Sequence, residues 1–295
     1  MSTSLADAVA ILRSGGLVAF PTETVYGLGA DASNPLAVRQ IFARKGRPAD
    51  HPLIVHLAEV EQVGDWAVMS EVGRALATAF WPGPLTIVLP RKPAVPDEVT
   101  GGLETVGIRI PCHPIAAALL SAFGGGVAAP SANRFGRVSP TTAAHVVSEF
   151  DGVVPVLDGG PCSVGVESTI IDLSGPPALL RPGGIPVEAI EAITGPLTSS
   201  NTRAPGTLAA HYAPRTALLL STHPEVDAAR LRDEGRTVAI LPAGDPVDHA
   251  HRLYAELRRL DGLGVDILIA ELSGAGGLGR AINDRLSRAA AARQH

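Results

Sequence analysis

A twisted mixed α/β sheet domain, followed by a small Rossmann-like three-layer α/β domain, is the fold class these 295 residues predict. Three observations predict it. Short apolar runs that read as strands alternate irregularly with helical patterns up to residue 193, which suits a mixed sheet better than a regular βαβ repeat. From 194 to 214 the periodicity stops in a stretch dominated by Gly, Pro, Ser and Thr, the composition of a linker. From 215 to 295, three strand-like runs alternate with helical patterns, the signature of parallel strands joined by crossover helices. With 46% hydrophobic and 18% charged residues, a chain of this length can bury the cores of two domains.

The elements follow in order. Ser4 and Asp7 form a capping box that opens a helix over 4–14, closed by Gly15-Gly16, and "LVAF" (17–20) is a short buried strand. Asn34 as N-cap with Pro35 at the first helical position starts a helix to about Ala43, and "LIVHL" (53–57) is the next strand. Further strands are expected at 85–89, 105–110, 126–129, 153–157, 168–173 and 178–181, with helices near 71–80, 114–123, 141–149 and 186–193. After the linker, "TALLL", "TVAIL" and "DILIA" alternate with helices near 224–234, 249–260 and 279–291.

Several function classes drop out early. No apolar stretch reaches the ~18 residues of a membrane span, and the N-terminus lacks the order of a signal peptide, so a cytoplasmic protein with no membrane partner is expected. Cys112 and Cys162 have no metal-ligand spacing and read as buried thiols. A net charge of −5 argues against a broad grip on a nucleic-acid backbone but permits a local basic pocket for a small anion such as a nucleotide. "GLGADA" (27–32) matches a dinucleotide fingerprint in letters only. "PTETVY" separates it from the preceding strand, so its glycines are expected to serve a turn.

Polar residues gather at expected strand ends. "KGRPADHPLIVH" (45–56) places Lys45 and Arg47 around a turn before a strand, in a chain whose only other lysine is Lys92. They read either as favourable charges at a helix C-terminus or as a phosphate contact. "APSAN" (129–133) delivers Ser131 and Asn133 at the end of an apolar run, the usual address of ligand groups in open α/β sheets. Ser139 lies where a helix N-cap or an anion site is expected. Arg109, inside "VGIRIP", needs a carboxylate or phosphate partner, which a structural Asp or Glu could equally supply. Ser168 and Arg181 add polar groups at two more strand ends, and no Ser-His-Asp triad or G-x-S-x-G elbow is legible.

Taken in sequence, "FPTETVYGLG" (20–29), "KGRPADHPLIVH", "WPGPLTIVL" (81–89), "VGIRIP" (106–111), "APSAN", "STIIDL" (168–173) and "LLRPGGI" (179–185) resemble the YrdC-type L-threonylcarbamoyladenylate synthases. "APGTLAAHYAP" and "SGAGGLGRAINDRLSRAA" (273–290) are similar to the longer, two-domain members, so the resemblance spans essentially the whole chain. It implies a YrdC-like catalytic domain and a nucleotidyltransferase that combines L-threonine, bicarbonate or CO₂ and ATP into threonylcarbamoyl-AMP and pyrophosphate. Separate transferase proteins would pass the group to tRNA, which the enzyme itself would meet only indirectly. Mg²⁺ is expected to accompany ATP, with no protein ligand assigned.

By the same resemblance, Lys45, Arg47, His51, Thr105, Ser131, Asn133, Ser139, Arg181 and Tyr212 would contact ATP, with Lys45 and Arg47 as the catalytic cations. Thr24, His56, Arg109, Ala129 and Ser168 would hold threonine, Arg109 forking onto its carboxylate. His51 departs from the asparagine common in relatives, and Ala209-Ala210 from a bulky or basic linker residue. Two other functions compete with this one. A non-catalytic RNA-binding unit is disfavoured by the acidic balance and the lack of aromatic-basic interleaving. A hydrogenase-maturation carbamoyl-adenylate enzyme would need zinc-finger-like cysteines and an acylphosphatase-like segment.

Overall fold

The computed structural model describes residues 2–200, 202–274 and 276–292. The first part of the chain carries strands β1 (Val18–Phe20), β2 (Gly27–Asp31), β3 (Ile54–His56), β4 (Leu85–Pro90), β5 (Thr105–Arg109), β6 (Val127–Ala128), β7 (Thr169–Asp172), β8 (Ala178–Arg181) and β9 (Thr198–Ser199). Its helices are α1 (Leu5–Arg13), α2 (Pro35–Lys45), α3 (Val63–Trp66), α4 (Glu71–Phe80), α5 (Asp97–Thr100), α6 (Pro114–Phe123), α7 (Ala143–Glu149) and α8 (Val187–Thr194). The strands form one mixed sheet in the order β1-β2-β6-β3-β5-β4-β7-β8-β9. Its β3–β5, β4–β7 and β8–β9 pairs are parallel, and the others antiparallel.

Alternation along the strands divides the core. Ala19, Val55 and Ala128 enter the main cluster with Ile41, Leu76 and Ile190 from α2, α4 and α8. Phe20 and Val127 point the other way, against Leu12 of α1 and Leu119 and Leu120 of α6. On β3 this rule sends Val55 into the main core and leaves Ile54 and His56 facing the pocket described below.

The cap signals work as expected for α2. Asn34 Oδ1 accepts from the backbone N–H groups of Leu36 and Ala37, an arrangement that stabilises a helix by about 1 kcal/mol. The helix runs two residues past Ala43, so Lys45 is its last residue, and Gly46 closes it in the left-handed conformation at φ 64°.

Three expectations fail for local reasons. The 153–157 segment is no strand: only Val156 bridges, to Ser2 and Ala19, because Pro155 offers a carbonyl to Ala19 but has no N–H to give. Gly27 and Gly29 lie in β2 rather than in a turn; a β-carbon on Gly29 would come within 2.8 Å of the Phe20 ring and 2.9 Å of Val127. Cys112 is exposed, and only Cys162 is a buried thiol. The non-periodic stretch also holds β9, which pairs with Ala178 and Leu179 and extends the sheet past Thr194.

The C-terminal part forms β10 (Ala217–Leu220), α9 (Pro224–Asp233), β11 (Val238–Ile240), α10 (Pro246–Asp261), β12 (Ile267–Ala270) and α11 (Leu278–Ala291). The three strands are parallel in the order β10-β12-β11. Its core does not stop at its own boundary. Val25, Val138, Val166 and Tyr212 pack in one cluster with Leu253, Tyr254, Ile282 and Leu286. The two domains therefore share apolar contacts next to the pocket.

Candidate functional site

The pocket lies on the sheet face that carries Ile54 and His56. Parallel pairing sets His56 of β3 beside Arg109 of β5 in register, so two strand ends deliver an imidazole and a guanidinium together. Ala129 and Ser131 follow β6, Ser168 precedes β7, Arg181 ends β8, and Arg47 follows α2. Pro205, Gly206, His211 and Tyr212 of the interdomain strap close the other side. The room left inside is ≈ 50 Å³, enough for a few waters and well below the ~300–1,000 Å³ of a pocket holding a drug-sized ligand.

Arg109 finds its structural partner. Its Nη2 donates to Glu23 Oε1 at 2.6 Å, with both side chains 5% exposed or less, and Glu23 Oε2 accepts the Cys112 N–H at 3.1 Å. A buried guanidinium thus has a carboxylate before any ligand arrives, while its Nε keeps no partner in the protein. His56 Nδ1 is likewise unpartnered, and burial, then the charge of Arg109, brings its pKa down to about 3, so the ring is neutral.

Arg181 ties the site to the strap. Its Nη2 donates to the carbonyl and hydroxyl of Ser168 at 2.8 and 3.1 Å, and its Nη1 to the carbonyl of Pro205 at 2.9 Å. Arg47 Nη2 donates to the Pro52 carbonyl at 2.9 Å, its Nε is unpartnered, and its guanidinium carbon stands 5.9 Å from the Phe135 ring centre. Burial lowers the Arg47 pKa to about 10, still charged at neutral pH.

Glu167 is the one acid among the lining residues. It accepts from Ser139 Oγ at 2.6 Å, Tyr254 OH at 2.7 Å and Arg285 Nε at 2.8 Å. Burial alone would raise its pKa; Arg285, Arg181 and the Ser139 bond override that and bring it down to about 2. Tyr212 has a left-handed backbone at φ 61° and its ring is stacked on Tyr254 at 5.8 Å. Gly206 sits under its hydroxyl, where a β-carbon would lie 2.0 Å from the oxygen, so no larger residue fits.

The pocket therefore gathers Arg47, His56, Arg109, Ala129, Ser131, Ser168, Arg181 and Tyr212. Six expected residues lie outside its lining. Lys45 is directly behind it, its Nζ donating to the Ser131 and Asn133 carbonyls, and burial followed by the Arg47 charge pushes its pKa well down. Asn133 is buried, spending its Nδ2 on the Arg134 and Arg137 carbonyls with Oδ1 free. Ser139 serves Glu167 instead of capping a helix; Thr142 caps α7. Thr24 is buried against Thr22, with their hydroxyls 2.8 Å apart. His51 packs edge-on to Phe135 at 5.5 Å. Thr105 faces a small apolar gap under Arg203, Ala204 and Pro205.

Glu23, Glu167, His211, Tyr254 and Arg285 join the site without being among the residues expected there. Glu167, at the end of the apolar run 164–166, had a signal like that of Arg109; Glu23, between Thr22 and Thr24, had none. Arg285 had another: it falls on the apolar face of α11 with Ala281, Ile282, Leu286 and Ala289.

A mixed sheet that collects guanidiniums, hydroxyls and a neutral imidazole at its strand ends, under a strap held by a second domain, defines a two-domain protein built to handle a small anionic ligand. The Sua5/YciO/YrdC family model, described as "Telomere recombination", matches residues 10–183, and the model "Threonylcarbamoyl-AMP synthase, C-terminal domain" matches 185–291. The chain belongs to this family. It is 43% identical to the threonylcarbamoyl-AMP synthase of Pyrococcus abyssi over 96% of this chain and 92% of that protein. It is also 43% identical to that of Bacillus subtilis, over 98% and 93%. The crystal structure of P. abyssi Sua5 complexed with L-threonine matches with a TM-score of 0.92 at 41% identity, over 98% of this chain and 94% of that one.

Proposed function

We propose that the chain is a threonylcarbamoyl-AMP synthase, joining L-threonine, bicarbonate or CO₂ and ATP and releasing pyrophosphate. The observation that carries this is the convergence of Arg47, Arg109 and Arg181 from three separate elements on one buried pocket, in a chain so close to named synthases along its length. In the reaction, the deprotonated threonine amine adds to CO₂, and a carbamate oxygen attacks the α-phosphorus as the bond to pyrophosphate breaks. It is a nucleotidyl transfer, and the protein must align the reactants and offset charge.

Arg109 and its unpartnered Nε suit the threonine carboxylate, with Ser168 and His56 nearby. Arg47, Arg181 and Ser131 suit the phosphates, with Lys45 one layer behind. Tyr212 would exclude water from the hydrolysable mixed anhydride. Magnesium would arrive with ATP and be held by phosphate and water; among the described residues no group of three His, Cys, Asp or Glu side chains is placed to hold a metal. No described helix is long and apolar enough to cross a membrane. Placement in the cytoplasm, delivery of the product to transferase proteins and indirect service to tRNA complete the reading.

The test is release of pyrophosphate from ATP, which must depend on both threonine and bicarbonate; release independent of threonine would sink the reading. Methionine in place of Lys45 or Arg47 should depress that rate more than threonine affinity, because phosphate charge is redistributed as pyrophosphate leaves.

A further inference from the structure

Glu167 is out of place in a pocket whose other charged lining residues, Arg47, Arg109 and Arg181, are cations. If this pocket takes a nucleotide triphosphate, a bare carboxylate in its wall would repel the ligand across a poorly screened interior. The carboxylate is not bare. Ser139 and Arg181 of the first domain compensate part of its charge, and the second domain supplies the rest through Tyr254 of α10 and Arg285 of α11, the strongest of the cations acting on it.

Arg285 has little reason to be where it is except for the first domain. It is fully buried on the apolar face of its helix, where a guanidinium is costly unless paired. Apart from the neighbouring Asp284, its acceptors belong to the first domain: Glu167 Oε2 at 2.8 Å and the Pro182 carbonyl at 3.0 Å. Its guanidinium carbon also stands 4.9 Å from the centre of the Tyr212 ring, within cation–π range. One side chain thus touches both the acid in the pocket wall and the aromatic ring that closes it.

We propose that Arg285, itself outside the pocket lining, is a positioning residue for the nucleotide: it cancels the charge of Glu167 and holds Tyr212 over the site, with Tyr254 assisting. The proposal rests on the function given above. It makes the second domain an electrostatic part of the catalytic site.

The experiment uses the full chain and four forms: wild type, R285M, R285K and the double variant R285M/E167Q, with KM for ATP, kcat and threonine affinity measured on each. R285M leaves the charged Glu167 with the hydrogen bonds of Ser139 and Tyr254 and the more distant Arg181 but without its strongest cation, so KM for ATP should rise about tenfold or more while threonine affinity moves less than about twofold. Removing that charge in R285M/E167Q should recover at least half of the rise on a logarithmic scale, which repair of a merely structural defect would not do. R285K, keeping the charge without the fork, should fall between wild type and R285M.

An unchanged KM in R285M, or a double variant no better than R285M, overturns the proposal while wild-type turnover leaves the function standing. A wild-type chain without threonine-dependent pyrophosphate release overturns both. If R285M does not fold, Y254F is the substitute. It removes one donor to Glu167 and should raise KM for ATP about threefold, and an unmoved KM there overturns the proposal.

Discussion

The two buried carboxylate–guanidinium pairs beside the pocket, Glu23–Arg109 and Glu167–Arg285, are alike in chemistry and unlike in origin. Glu23 and Arg109 both come from the first domain, where the end of β5 meets the loop after β1. Glu167 and Arg285 stand 118 residues apart and meet only because two domains dock. The first pair leaves a donor atom free toward the pocket; the second spends its charge on closing the wall. A pocket can therefore take its lining cations from one domain and part of its background potential from another.

The largest expected effect breaks the first pair. Arg109→Met strands Glu23 without its cation in a buried site and should destabilise the fold by about 3–5 kcal/mol, read from denaturant midpoints at neutral pH. Arg109→Lys keeps charge but loses the planar fork. It should weaken threonine binding by about 1.5–3 kcal/mol and barely change ATP binding; equal loss for both ligands would remove the threonine assignment.

The second pair is probed by pH. Glu167 lies at about 2 in the fold against an ordinary 4.5, so its ionised form is favoured by folding. A depressed carboxyl contributes stability above the unfolded value, and that contribution is lost as pH falls from about 4.5 toward 2. The amount is on the order of 3 kcal/mol. The gap between wild type and E167Q, compared by unfolding at pH 7 and pH 3, should shrink by about half or more at the lower pH; a gap that stays constant would mean that Glu167 is not ionised in the fold.

The smallest effect sharpens the contrast along the strap. Its exposed end is held by Arg203, which donates to Asp50 Oδ2 at 3.1 Å with side chains 49% and 64% exposed. Arg203→Ala should cost under about 1 kcal/mol, as exposed pairs do. Tyr212→Ala at the buried end should instead lower intact product per pyrophosphate, since the ring that excludes water is gone. Equal yields of intact product would reduce the strap to a tether.

Much of this was legible in the chain. Apolar runs, the Asn34–Pro35 start and the Gly46 stop located elements because those signals act over a few residues. Strand-end placement pointed to Ser131, Ser168 and Arg181, burial inside an apolar run to Arg109, and the turn after a helix to Arg47, since each puts a polar group at a predictable edge. Lys45, Asn133 and Ser139 sit one layer behind the pocket wall, a distinction of depth that spacing along a chain does not encode.

By itself the sequence determined the two-domain α/β plan, through local propensity and periodicity, and, through motifs that resemble a known family, the cations that line the pocket. Only the tertiary structure decided that Glu23 answers the burial of Arg109, that Glu167 lines an otherwise cationic pocket, and that Tyr254 and Arg285 reach across from the second domain to hold it. The reason is physical. A charge buried in an apolar run announces that it needs a partner, but which partner it meets depends on sheet register and domain docking, and those are fixed by packing over the whole chain.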